Sequence, residues 1–458
     1  MAKLISTNSA NNYKVLGKVK ISSDIEIQDK VSQANEVKKN WKELGIKKRI
    51  TYLKSLYNAF ESEKEKIAYL ITKETGKPIS QTRAELRFFQ LYNKWNLENA
   101  AKILEDETTY EDKKTKHIII YEPIGVASII LPWNSPFGLF SWKVFANLIV
   151  GNTVLVKHSE ECPLTAKLIE EIVNKCNLPE GVFNMIYGDS NVGKLLVNKN
   201  IDLIVFSGSS EVGKELYETA AKKFIKAIME LGGSNPSIIF SDADLTKVTS
   251  RVFYGRFANC GQNCDAIKRL IVHKDIVDKI NASLTKELEM KKIGDPNDEA
   301  TYFGTLVSEK QLQTASEQLN DALDKGAKIV AQLKVPKNLK GSFFSPIILS
   351  NISKNMKVWN EEVFAPILPI ITFETEEEAI ELANDTKYGL GATIFTEDKE
   401  LFNRVANKLN CGNVEHNTIS QWIPCNPFGG YKESGIGREN GAIGLKELCQ
   451  LKVLSIEK

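Results

Sequence analysis

Residues 28–74 and 79–105 carry apolar positions at three- and four-residue spacing. That pattern predicts two long amphipathic helices, broken at Gly76-Lys77-Pro78. Two β-branched apolar runs follow, 116–121 and 125–131, around the turn Glu122-Pro123-Ile124. Strand-like and helix-like stretches then alternate, with strands at 127–131, 153–157, 182–187, 203–206 and 226–231 and helices at 136–149, 163–176, 192–198 and 211–224. After Gly232-Gly233 the alternation resumes, with helices at 245–257, 275–289, 309–325, 376–384 and 399–409 and strands at 269–273, 328–331 and 391–395. Apolar strands separated by helices predict parallel sheets covered on both faces, an α/β fold in two blocks whose strand ends suit nucleotides. The run 451–456 reads as a strand with no local partner, available to extend a neighbouring chain's sheet.

At 458 residues the chain is long enough for two or more domains. Its 60 basic and 58 acidic side chains leave a net charge of +2, which gives no electrostatic case for nucleic acid or an anionic membrane and points to a small-molecule partner. The polar start and the shortness of every apolar run argue against a secretion signal or a membrane span, so a cytoplasmic protein is expected. Seven scattered cysteines then read as reduced thiols, and four histidines in no ligand spacing predict no metal site.

Candidate chemistry concentrates in two strings, Glu230-Leu231-Gly232-Gly233 and, one predicted helix later, Asn259-Cys260-Gly261-Gln262-Asn263-Cys264. A lone cysteine is more often a small buried hydrophobe. Behind Gly261-Gln262, however, Cys264 can face a cleft while a backbone N–H points at a substrate oxygen. Glu230 ends an apolar strand, where burial raises a carboxyl pKa toward the range of a general base. Together they supply a thiol nucleophile and a base. Asn134, in Pro132-Trp133-Asn134-Ser135-Pro136, either caps the next helix or offers its amide to an oxyanion. Ser207-Gly208-Ser209-Ser210 lies at a strand-to-helix turn suited to a pyrophosphate. The stretches 188–194 and 208–214 read Gly-x4-Gly-Lys but continue with Leu195 and Glu215, so the magnesium-binding hydroxyl of an NTPase loop is missing.

In these strings the chain resembles the aldehyde dehydrogenase superfamily, with matches in family order from Trp133 to Glu439. Lys157-His158, the stretch 230–244 and Ala266-Ile267-Lys268-Arg269 are most like its short succinate-semialdehyde dehydrogenase branch. The resemblance implies two Rossmann-like three-layer domains and a small β arm. The cofactor domain would comprise 1–104 and 125–231, the catalytic domain 232–440, and the arm 105–124 and 441–458, joining chains into a homodimer or homotetramer. It implies NAD(P)-dependent oxidation of an aldehyde through a thiohemiacetal and a thioester on Cys264. Glu230 would activate water, Asn134 and the Cys264 N–H would hold the oxyanion, and Lys143 and Glu439 would relay the proton.

Cofactor contacts are implied for Trp133, Lys157, Glu160, Gly188, Gly208, Ser209, Gly213, Glu362 and Phe364. Glu160 would repel a 2′-phosphate and favour NAD, with NADP possible. Trp142 and Phe428 would wall the substrate tunnel. His158 and Ala365 stand where the family pattern has proline and glycine, and Cys260 lies outside the nucleophile slot, as a structural thiol or an oxidative partner of Cys264. The semialdehyde branch carries arginines where this chain has Trp142 and Ala258. Small neutral or hydroxylated aliphatic aldehydes are therefore expected to serve at least as well as succinate semialdehyde. The rivals are a CoA-acylating reductase and a non-catalytic binding protein on the same scaffold.

Overall fold

The computed structural model describes residues 2–458. Two sheets organise the chain. The first runs in the order Gly435–Ile436, Lys226–Glu230, Leu203–Ser207, Val126–Ile130, Thr153–Lys157, Phe183–Ile186, parallel except for the short outer strand. Its continuous Val/Ile/Leu runs are buried on both faces, because helices cover each. Asp24–Glu43, Ser190–Val197 and Ser210–Lys223 pack on one side. Gly45–Thr75, Ile79–Ile103, Pro136–Val150 and Pro163–Asn174 pack on the other.

The second sheet runs Lys328–Gln332, Ile347–Ser350, Ile367–Phe373, Ile267–His273, Asn235–Ile239, Gly391–Phe395, Asn413–His416, parallel except at Lys328–Gln332, and has its own core. An open parallel sheet offers a crevice at the carboxyl ends of the two strands where the winding reverses. In the first sheet that point lies between Val126–Ile130 and Leu203–Ser207. In the second it lies between Asn235–Ile239 and Gly391–Phe395. There Asp242 fills the anion position itself, accepting from the Thr396 hydroxyl at 2.8 Å and the Glu397 and Asp398 N–H groups at 2.9 and 3.1 Å.

Several elements differ from the sequence reading. The first predicted helix divides at Leu44, because Gly45 takes φ +72° with no neighbour to crowd it. An antiparallel hairpin, Lys3–Asn8 with Lys14–Lys20, precedes it. The strand Asn235–Ile239 starts on an irregular pairing at Pro236, a residue that argues against a central strand when read from sequence. The strands Ile347–Ser350, Ile367–Phe373 and Asn413–His416 were also not legible. Contrary to the expectation of no local partner, the C-terminal strand Cys449–Glu457 pairs along its whole length with Thr115–Pro123, which pairs in turn with Glu107–Glu111. This three-stranded sheet unites the stretches expected to form the arm. Gly435–Ile436, within the stretch expected to be catalytic, joins the first sheet beside Glu230.

Candidate active site

The carboxyl ends of the first sheet face the amino ends of the second, and the candidate residues meet in that gap. Helix Leu245–Phe257, capped by Asp244, stops at Ala258, and the next three residues are left-handed: Asn259 (φ 52°), Cys260 (φ 53°) and Gly261 (φ 71°). Two of them bear side chains, so the loop is strained and must be held from outside. Gln262 does so, donating to Asn259 O at 3.0 Å and Thr305 O at 3.3 Å and accepting from the Val307 N–H at 3.0 Å. The buried Arg256 guanidinium ties the same loop to the Ile267, Val363 and Ala365 carbonyls. Gly261 is required twice, since a Cβ there would stand 2.6 Å from Ala365 O.

This loop places Cys264 half-buried against Phe89, Tyr92, Trp142, Leu390, Phe428 and Trp422. Burial, and then the nearby Glu230 and Asp265 carboxylates, push its thiol pKa well above the usual range. Glu230 ends the strand Lys226–Glu230 opposite Ser207. Burial pushes its carboxyl up to about 7, against the pull of the Lys143 charge and the Cys264 thiol, with Glu439 raising it further. Its Oε1 and the Ser207 hydroxyl are both buried without a hydrogen-bond partner, which leaves the carboxyl free to take a proton. Cys260 is buried, its thiol pushed up to about 12 by desolvation.

Asn134 does not cap the helix Pro136–Val150; Ser135 stands at the cap position, with no side-chain cap bond. The Asn134 side-chain amide donates to Gln262 O at 3.1 Å, and the Asn134 backbone carbonyl accepts from Asn259 Nδ2 at 3.1 Å. One N–H of the amide is thus anchored on the cysteine loop, and the other remains for a substrate oxygen. Behind Glu230, the Lys143 ammonium and Glu439 form a buried ion pair, and Glu439 Oε2 has no hydrogen-bond partner. A cavity of about 20 Å³ beside them is large enough for one water.

On the cofactor side, the Trp133 and Phe364 rings meet edge to face at 5.6 Å. Lys157 and Glu160 pair at 3.1 Å at the end of their strand, with Glu160 the more exposed partner. Ser209 caps the helix Ser210–Lys223 by accepting from the Val212 N–H, so the Ser210 and Glu211 N–H groups remain free at its start. At Gly208 a Cβ would lie 2.4 Å from the Phe206 ring, at Gly213 2.5 Å from Leu231, and at Gly188 2.2 Å from Val192. These three glycines therefore keep backbone and helices close to the crevice, and the free N–H groups there suit a pyrophosphate. Glu362 accepts from the Gly233 N–H at 3.0 Å and lies 3.8 Å from the buried Lys268 ammonium, which sits over the Phe364 ring. His158 is buried against Phe140, and desolvation lowers its pKa to about 3, so it fills its place as a neutral ring.

Trp142 stacks on Tyr92 at 5.1 Å and meets Phe428 edge to face at 5.4 Å, forming one wall beside Cys264. Next to it opens a cavity of about 250 Å³ whose lining includes Phe88, Trp422, Asp265 and Glu415. Sequence reasoning passed over Asp265, Glu415 and Lys268. Asp265 was visible as the neighbour of Cys264, whereas Glu415 comes from an edge strand that no periodicity announced.

A helix-covered α/β scaffold that gathers a cysteine, a buried carboxyl and an amide beside the strand ends of its first sheet has the class of architecture used by cofactor-dependent enzymes. A sequence model of the aldehyde dehydrogenase family matches residues 2–454. The chain belongs to that family, the NAD(P)-dependent oxidoreductases of aldehydes. It is 34% identical over 454 residues to succinate-semialdehyde dehydrogenase [NADP(+)] GabD of Escherichia coli (strain K12), covering 98% of this chain and 93% of that enzyme. Among solved structures, an E. coli NADP-dependent enzyme superposes with a TM-score of 0.96 at 32% identity, over 100% of this chain and 95% of the other. Betaine aldehyde dehydrogenase from Staphylococcus aureus, in complex with NAD+, gives 0.94 at 31% identity, over 99% and 91%.

Proposed function

We propose that the protein oxidises a small aliphatic aldehyde to its carboxylic acid, with Cys264 as nucleophile, Glu230 as base and NAD as the preferred cofactor. The convergence of Cys264, Glu230 and Asn134, with the Glu230 pKa at about 7, carries this reading. Glu230 takes the thiol proton as Sγ attacks the carbonyl carbon, and the second Asn134 N–H with the Cys264 N–H holds the oxyanion that forms. Glu362, Phe364, Trp133, Lys157 and Glu160 would hold a nicotinamide dinucleotide, which would supply the acceptor for the hydride leaving the substrate carbon. Lys143 and Glu439 pass the thiol proton outward from Glu230, which is thereby free to draw a second proton from water as the water oxygen attacks the Cys264 thioester; the tetrahedral intermediate collapses to the acid, and the second proton returns to Sγ. The arm sheet joins copies into a homodimer or homotetramer, and the seven unpaired thiols fit the cytoplasm.

The test is NADH formation over an aldehyde panel. Cys264→Ser should abolish turnover while cofactor binding, read by fluorescence, persists. Glu230→Gln should release about one NADH per site and stall. Full activity in either variant removes that residue's role, and dependence on added CoA would favour the acylating reductase.

A further inference from the structure

The cavity beside Cys264 carries two carboxylates, Asp265 and Glu415, and neither takes part in the chemistry described above. They come from different elements, the cysteine loop and the edge strand Asn413–His416, and lie close enough that the Asp265 charge raises the Glu415 pKa. Both are half-buried, and neither forms an ion pair with any described residue. Burial pushes Asp265 up to about 6, moderated by Ser420, Trp422 and the Lys268 charge. Burial also raises Glu415, moderated by the Gln421 backbone.

The cations nearby are committed elsewhere. Lys77, which also lines the cavity, is bound to Glu85. Lys268 donates to Val363 O at 3.1 Å and faces Glu362. Arg251 donates to the Thr418 hydroxyl. The remaining walls include the aromatic rings of Phe88, Phe89 and Trp422, with Phe88 and Trp422 at 5.5 Å. Two carboxylates without an ion-pair partner, set among aromatic faces, repel an anionic substrate tail and attract a cation, through charge and through the rings' negative faces.

We propose that this cavity selects aldehydes bearing a distal ammonium group, ω-aminoaldehydes, with Asp265 and Glu415 holding the ammonium while the aldehyde reaches Cys264. The inference rests on the aldehyde-oxidising reading above. An ammonium seated there also offsets the Asp265 charge that helps hold the Cys264 thiol in its protonated form. The attacking thiolate then forms more readily with the cognate substrate in place.

The experiment compares kcat/KM for 3-aminopropanal, butanal, glyceraldehyde and succinate semialdehyde, in the wild type and in Asp265→Asn and Glu415→Gln. The expected result is a 3-aminopropanal to butanal ratio above about fivefold, corresponding to ~1 kcal/mol from an ion pair, with succinate semialdehyde the poorest of the four. Each variant should lower that ratio toward one. A wild-type ratio of about fivefold or less overturns the proposal, as does glyceraldehyde surpassing 3-aminopropanal, which would make the carboxylates acceptors for hydroxyls. A high ratio that survives both substitutions overturns the assignment to Asp265 and Glu415. Absence of both NADH and NADPH from all four aldehydes, assayed with NAD and with NADP, overturns the aldehyde-oxidising reading itself, whereas butanal turnover without ammonium preference leaves that reading standing.

Discussion

A Cβ on Gly233 would stand 2.6 Å from the carbonyl oxygen of Cys264, so the strand-end glycine and the nucleophile loop are in direct backbone contact. The Gly233 N–H also donates to Glu362 at 3.0 Å. One residue thereby fixes the spacing between the cysteine and a group proposed to hold the dinucleotide. Gly233→Ala should lower kcat/KM by about a hundredfold, the effect of an ångström-scale misplacement, measured by NADH formation alongside thermal denaturation to confirm folding. Near-normal kcat/KM in a folded variant would show that the contact is not needed for alignment.

The Glu230 carboxyl should set the pH dependence of turnover. With its pKa at about 7, kcat should rise as pH increases through that value, because the ionised form is the base. Lys143 lowers this pKa and Glu439 raises it. Lys143→Met should therefore move the inflection to higher pH, and Glu439→Gln to lower pH. Shifts in the same direction would contradict the charge assignment.

Glu160, proposed above to help hold the dinucleotide, is the more exposed partner of its pair with Lys157. Glu160→Gln removes the charge that would face a 2′-phosphate. The ratio of kcat/KM with NADP to that with NAD should rise in the variant. Strict NADP dependence of the wild type would refute the repulsion argument.

Trp142 stacks against Tyr92 where the semialdehyde branch carries a cation. Trp142→Arg should raise the kcat/KM ratio of succinate semialdehyde to butanal, provided circular dichroism shows the fold intact. A wild-type ratio above about a hundredfold, roughly 2.7 kcal/mol, would mean that another group serves the substrate carboxylate.

The outer edge of the arm sheet exposes Leu451 and Val453, at 64% and 61%. An apolar edge strand invites pairing with another chain. Leu451→Glu with Val453→Glu should lower the mass measured by light scattering to that of a single chain. An unchanged assembly would place the interface elsewhere.

Much of this was legible in the sequence where physics is local. Strand Thr153–Lys157 and helices Leu245–Phe257 and Glu376–Asn384 fall where periodicity and capping put them. Glu230 and Cys264 were found because their flanking glycines are demanded by backbone contacts at Gly233 and Gly261. Strand Asn235–Ile239 escaped because Pro236 breaks the pattern that pairing with both neighbours overrides. The hairpin Lys3–Asn8 with Lys14–Lys20 escaped because lysines interrupt its alternation. Glu415 was beyond reach for a different reason: its place beside Asp265 depends on the register Thr393↔Glu415, a long-range pairing with no trace in the segment itself.

The pairing of Gly435–Ile436 with Lys226–Glu230 bears on how the molecule is made. The strand that ends in Glu230 leaves the ribosome with its outer edge bare, and the segment that covers it is synthesised about two hundred residues later. At about 5–20 residues per second, that delay is roughly 10–40 seconds. Glu230 and its edge thus remain uncovered for that delay, so a nascent chain that stops short of Gly435 can build most of the first sheet but not the candidate site.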